Sequence, residues 1–254
     1  MSRPTDSSST FAASAMTSAG TLPARAGTAA EPAVEPRAEL RAELGAPAAR
    51  SPDPEATRKN IIEVATHEFA RNGLSGARVD EIAAKTACSK RMIYYYFGDK
   101  EGLYLKVLEE AYSKVRAEEA LLDLAEMEPR EGLDALVRFT FDHHNRSPDF
   151  IRLVMIENIH HADFLGQSQV IQKLNVRAID AVADLYRRGV ERGVFREGID
   201  PVELHWQISA LCFFNVSNRA TFSKIFKRDL GSKKSLTSLR ERVVDMVCRY
   251  VEAR

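Results

Sequence analysis

Apolar side chains recur along the chain at intervals of three and four residues, the period that lays one stripe along a helix. Ile61, Ala65 and Phe69 stand at i, i+4 and i+8, order beginning near Glu55, and Asn72-Gly73 supplies a stop. Val79, Ile82 and Ala83 make a second short periodic piece, and after the break at Ala87-Cys88-Ser89 a third runs from Lys90 to Phe97. Gly98-Asp99-Lys100 leads into a long helix from about Glu101. Beyond Pro129 the helical period returns in Leu133, Leu136, Val137 and Phe141, then over residues 150–159, 170–192, 202–222 and 236–251. No segment alternates apolar and polar positions as a half-buried strand does. The pattern predicts an all-α chain of about nine helices without an internal repeat.

Residues 1–54 read differently. Ala, Ser, Thr, Pro and Glu dominate, Phe11 is the one aromatic, and no apolar period is sustained, so a disordered arm is expected there. Residues 38–44 within it hold enough Ala, Glu, Leu and Arg for a transient helix.

Residues 79–97 fit a helix-turn-helix, in which one helix braces across a nucleic-acid backbone and a second enters the major groove. Ile82, Ala83, Ile93 and Phe97 form the inner set, which leaves Lys90, Arg91, Tyr94 and Tyr95 outward. The cations suit phosphates or guanine edges, and the tyrosines offer hydroxyls and flat faces for backbone and thymine methyls. Taken alone, Tyr94-Tyr95-Tyr96-Phe97 also fits an aromatic core cluster and Lys90-Arg91 a solvated helix start. Successive helical side chains step by about 100°, however, so four consecutive aromatics cannot all face one core.

From Val79-Asp80-Glu81-Ile82-Ala83-Ala84 through Tyr94-Tyr95-Tyr96-Phe97-Gly98-Asp99-Lys100-Glu101-Gly102-Leu103, preceded by Phe69-Ala70-Arg71-Asn72-Gly73, the chain resembles the DNA-binding signature of the tetracycline-repressor (TetR/AcrR) family. The match covers about 50 residues. The resemblance implies a helix-turn-helix DNA-binding domain over residues 55–101 and a ligand-binding and dimerisation bundle over 102–254. It also implies that Lys90, Arg91, Tyr94 and Tyr95 face DNA, with Tyr96 at the edge and Lys100 on a phosphate. Three departures stand out. Ala87 occupies a turn position where the family carries glycine with positive φ. Arg78 replaces a capping threonine and is expected to add a phosphate contact, and Arg91 replaces a small residue.

In that family the last helices pair with their copies in a second subunit, and a small molecule enters the bundle. The sequence permits this: Leu204, Ile208, Leu211 and Phe214, then Leu239, Val243, Met246, Val247 and Tyr250, give two broad apolar faces. A pocket mixing aromatics with sparse polar groups is expected from Phe139, His143, Phe150, Met155, Asn158, Trp206 and Phe213, with His143 and Asn158 as the polar pair. Each of these also fits an ordinary core. Glu157 and His160 have the spacing of half a carboxylate-bridged metal site, but only one such Glu-x-x-His occurs and neighbouring histidines diverge, so no metal and no other cofactor are expected.

Charge then narrows the reading. The 36 basic and 36 acidic residues cancel, so any DNA-binding surface must be local. Cys88, Cys212 and Cys248 form no CxxC pair, which argues against a disulfide framework or structural zinc and suits a reducing cytoplasm. Neither a membrane span nor an export leader is legible. A glycine-rich phosphate loop, G-x-S-x-G and HExxH are all missing, so an enzyme is not expected. The expectation is a homodimeric, ligand-released repressor on palindromic operator DNA. An activator of the same family and a metal-dependent helical enzyme are the alternatives.

Overall fold

The computed structural model describes residues 53–253. The arm expected over residues 1–54, with its helix over 38–44, lies outside the described residues except for Asp53 and Pro54. Ten α-helices follow: α1 (Pro54–Gly76), α2 (Val79–Thr86), α3 (Lys90–Phe97), α4 (Lys100–Ala120), α5 (Pro129–Arg146), α6 (Pro148–Ile159), α7 (Gln169–Glu191), α8 (Pro201–Ser217), α9 (Arg219–Ile225) and α10 (Lys233–Val251). A 3-10 turn, Leu165–Gln167, precedes α7. The single extended pairing among the described residues is an isolated antiparallel bridge between Phe195 and Glu252.

Local chemistry sets these boundaries. Proline opens α1, α5, α6 and α8, where its missing N–H costs nothing, and the side chains of Asp53, Ser89, Asp99, Ser168, Asp200 and Ser232 cap first turns. Gly73, at φ 68°, interrupts α1 where Asn72-Gly73 was expected to end it. The tenth helix arises because the segment read as continuous over 202–222 breaks at Asn218, whose N–H returns to Phe214 O at 3.1 Å before α9 begins.

Two apolar cores result. Ile61 and Phe69 of α1, Ile82 of α2, Ile93 and Phe97 of α3, and Leu103, Tyr104 and Val107 of α4 close the first, with Leu153 and Ile171. The second joins Leu136 and Phe141 of α5, Leu185 of α7, Ile208 and Cys212 of α8, and Val243 and Val247 of α10. Each large aliphatic or aromatic group sealed this way stabilises the fold by about 1.5–3 kcal/mol. α7 carries glycine at 189 because a Cβ there would lie 1.9 Å from the Phe195 ring. α4 runs from the first core towards the second: Tyr104 is sealed near its start and Val115 and Glu119 are buried near its end.

Candidate nucleic-acid interface and histidine cluster

The α2–α3 turn depends on one backbone conformation. Ala87 ends α2 at φ 53°, ψ 25°, in the left-handed region anticipated for it. Cys88 N–H then donates to Ala83 O at 3.2 Å, and Ser89 Oγ accepts from Met92 N–H at 3.1 Å to start α3. Ile82, Ile93 and Phe97 turn inward and are buried, and Ala83 is half-buried. Lys90, Arg91, Tyr94 and Tyr95 are exposed, Tyr95 to 80%. Met92, which sequence reasoning passed over, shares this outer surface. Tyr96 is half-buried and packs edge-on against Tyr95, with ring centroids 5.5 Å apart.

Cations flank this helix. Lys90 Nζ lies 3.1 Å from Asp80, whose hydrogen bond and charge raise the lysine pKa. Arg78 is exposed and makes no side-chain cap bond. Lys100 is half-buried, and its Nζ donates to Ser75 O at 3.3 Å. Asp99 caps α4 through Gly102 N–H at 2.7 Å, where a Cβ on Gly102 would meet Phe97 O at 2.3 Å. A buried carboxylate missed in the sequence braces the motif from behind: Glu68 of α1 accepts from Lys85 of α2 at 3.1 Å and from Asn72 at 2.8 Å. Burial opposes its ionisation, but those two hydrogen bonds prevail and hold its pKa below the ordinary value.

Among the groups proposed for a pocket, the structure gathers Phe139, His143, Phe150 and Phe213, and adds His144, Tyr112 and His205. His143 and His144 are 2% and 8% exposed, with centroids 5.9 Å apart. Phe139 stacks on His143 at 5.8 Å, Phe150 meets His143 at 5.6 Å and His144 at 6.1 Å, and Phe213 stands edge-on to His144 at 6.3 Å. Tyr112 packs on Phe150 at 5.3 Å. Burial first, then neighbouring positive charge including Arg116, pushes the pKa of His143, His144 and His205 down to about 4, although Glu118 pulls that of His143 the other way. A groove of about 1010 Å³ between α1, α4, α5 and α6 reaches His143, Phe150, Lys114 and Arg146.

Three of the expected pocket residues lie elsewhere. Met155 is 37% exposed and lines a separate groove between α1 and α6. Asn158 is exposed and donates to Val154 O at 2.8 Å, so its amide is satisfied by its own helix. Trp206 is 70% exposed. It belongs to a stripe with Val202, Ala210 and Phe214, four residues apart along α8. Val202, Trp206 and Phe214 are exposed large apolar groups, as are Met246 and Tyr250 on α10. α8 therefore has two apolar faces: Leu204, Ile208 and Cys212 are buried on the other.

Glu157, the carboxylate of the weighed metal pair, is 1% exposed and has both oxygens engaged, by Tyr104 OH at 2.8 Å and Leu165 N–H at 3.0 Å. His160 is exposed. No helix among the described residues is long and apolar enough to cross a membrane.

Comparison with known proteins matches two stretches of the chain. A family profile described as "Bacterial regulatory proteins, tetR family" matches residues 61–107, and "Tetracyclin repressor-like, C-terminal domain" matches residues 129–247. The chain is 32% identical over 200 residues to the HTH-type transcriptional repressor NicS of Pseudomonas putida, covering 79% of this chain and 94% of that one. It is 32% identical over 205 residues to the HTH-type transcriptional repressor SCO4008 of Streptomyces coelicolor, covering 79% and 97%. The crystal structure of SCO4942 from Streptomyces coelicolor aligns with a TM-score of 0.58 at 27% identity, over 77% of this chain and 98% of that one.

Proposed function

The chain belongs to the tetracycline-repressor family of transcriptional regulators, and from that membership we propose a homodimeric repressor that grips a two-fold symmetric operator through α3 and releases it when a small molecule occupies the helical bundle. The observation that carries the reading is the exposed set Lys90, Arg91, Tyr94 and Tyr95, held outward by Ile93 and Phe97 in the core. Tyr94 and Tyr95 supply hydroxyls and apolar faces, and Arg91 a fork that matches a guanine edge. Arg78, Lys90 and Lys100 anchor phosphates, Lys90 leaving Asp80 and Lys100 leaving Ser75 O to do so. Tyr96 borders the contact.

Operator symmetry requires two copies of α3, and the exposed stripe of α8 with Met246 and Tyr250 of α10 is the proposed mating face. Trp206 then serves the dimer rather than the pocket. Phe139, His143 and Phe213 remain as effector contacts. Release follows from α4, whose 21 residues span about 30 Å. Its start carries Leu103 and Tyr104 in the first core and its end carries Arg116 beside the histidines. An effector that prefers a tilted α4 changes the spacing of the two recognition helices. Residues 55–101 act as the DNA-binding domain and 102–254 as the effector and dimer domain, working in the cytoplasm.

A mobility shift on the DNA upstream of the protein's own gene tests this. Specific retardation that weakens steeply with salt is expected; binding indifferent to salt contradicts phosphate anchoring.

A further inference from the structure

Two buried imidazole nitrogens have no task in the fold. Nδ1 of His143 and Nδ1 of His144 are sealed from solvent and have no hydrogen-bond partner among the described residues. Buried polar atoms are nearly always paired, so two orphans on adjacent residues mark a place where something else supplies the bond. On His143, Nε2 lies 3.4 Å from the Ser147 hydroxyl, which can donate to it and leave the proton on Nδ1.

The surroundings define what fits. Phe150 lies against both imidazoles, Phe213 stands edge-on to His144 and Tyr112 packs on Phe150, an aromatic surround whose chemistry suits a flat apolar body. The charges felt by His143 are Lys114, Arg116 and Glu118 from α4 and Arg146 from α5; His144 feels Arg116 and His205. Glu118 is bound by Arg146 at 2.6 Å and Glu119 by Arg116 at 2.7 Å, whereas Lys114 is exposed beside the groove that leads to His143. The outer groove carries carboxylates and cations together, Glu63, Glu109, Glu110 and Asp149 among the former, but the charges acting on the imidazoles themselves are Lys114, Arg116, Arg146 and the Arg146-bound Glu118, so at the two rings an anion is favoured over a cation.

We propose that His143 and His144 are the recognition point for a planar aromatic carboxylate, whose oxygens accept from the two free Nδ1–H groups while its ring enters the aromatic surround of Tyr112, Phe150 and Phe213. The inference rests on the effector-released reading above and names the chemical class of that effector. Lys114 steers the anion in.

The test uses the full-length dimer and three probes of one shape: benzoate, neutral benzamide and cationic benzylamine. Titration calorimetry should show saturable benzoate binding, benzamide weaker by about tenfold or more, and no benzylamine binding. His143→Phe and His144→Phe should each weaken benzoate by about tenfold. Should either variant fail to fold, histidine-labelled wild-type protein carries the test, since both Nδ1 resonances must move on adding benzoate. Absence of saturable benzoate binding, equal affinity for benzamide, unchanged affinity in the folded variants, or static Nδ1 resonances each overturns the proposal. Operator binding is measured on the same ligand-free samples. If it persists while benzoate fails, the effector class falls and the repressor stands; if operator binding is absent, the functional reading itself fails.

Discussion

The phenol of Tyr104 donates a 2.8 Å hydrogen bond to Glu157, with Tyr104 fully sealed and Glu157 1% exposed. The tyrosine also meets Phe69 of α1 edge-on at 5.0 Å and Phe164 at 5.2 Å, so one side chain fastens α4 to α1, to α6 and to the segment before α7. Burial and the carboxylate raise the phenol pKa well above its ordinary value, which keeps the proton in place as donor. Tyr104→Phe leaves a buried carboxylate oxygen unpaired and should cost about 1–3 kcal/mol by urea unfolding. A cost below about 0.5 kcal/mol, the level of an ordinary surface change, would mean that water or relaxation replaces the bond.

Ala87 sits at φ 53° in the turn before α3. A left-handed conformation costs an L-residue roughly 1–2 kcal/mol, against which glycine gives back part through its freer unfolded chain. Ala87→Gly should therefore raise stability by about 0.5–1 kcal/mol while leaving operator affinity unchanged. Destabilisation in thermal unfolding would show that the turn depends on the alanine methyl.

Acid should weaken the fold through its histidines. His143, His144 and His205 have folded pKa values pushed down to about 4 from an ordinary 6.5, burial being the chief cause. The unfolded chain accordingly takes up protons that the native one refuses, so stability is full above about 6.5 and falls as pH drops towards 4. Each imidazole contributes a slope of about 1 kcal/mol per pH unit in that window. Urea midpoints between about pH 6.5 and 4.5 should decline, and His144→Gln should remove about a third of the slope. A flat profile would place these rings in contact with water.

The sole tryptophan tests the proposed mating face. Trp206 is 70% exposed on one chain and becomes buried when two α8 stripes meet. Its emission should be blue-shifted at high protein concentration and move red on dilution, and Phe214→Glu should give a monomer in sedimentation equilibrium. A red emission at every concentration, with a monomer mass for the wild type, would remove α8 from the interface.

Local chemistry was legible and distant pairing was not. The α2–α3 motif and its inner set follow from period, turn and cap residues within about 20 positions, the reach of two short helices, and the left-handed Ala87 from the family resemblance alone. Tyr104 and Glu157 stand 53 residues apart, and Arg116 and Asn175 59, so nothing in the linear pattern joins them. The mix of aromatics and sparse polar groups puts Trp206 in the pocket, but α8 is apolar on two sides and periodicity cannot say which side faces the core. Asn158 was expected to need a buried partner, yet its own helix supplies one at Val154 O. The break at Asn218 carries no glycine or proline to announce it.

Fluorescence anisotropy of the protein's own upstream DNA, titrated with wild type, Arg91→Ala and Tyr95→Ala over a range of salt, tests the central claim most directly. Both side chains are exposed, so the variants should keep wild-type Tm. The account predicts specific wild-type binding whose affinity falls linearly in log salt, and a loss of about 1–3 kcal/mol for each variant. Variants that bind as tightly as wild type, or wild-type binding equal on unrelated DNA, would contradict α3 as the operator reader.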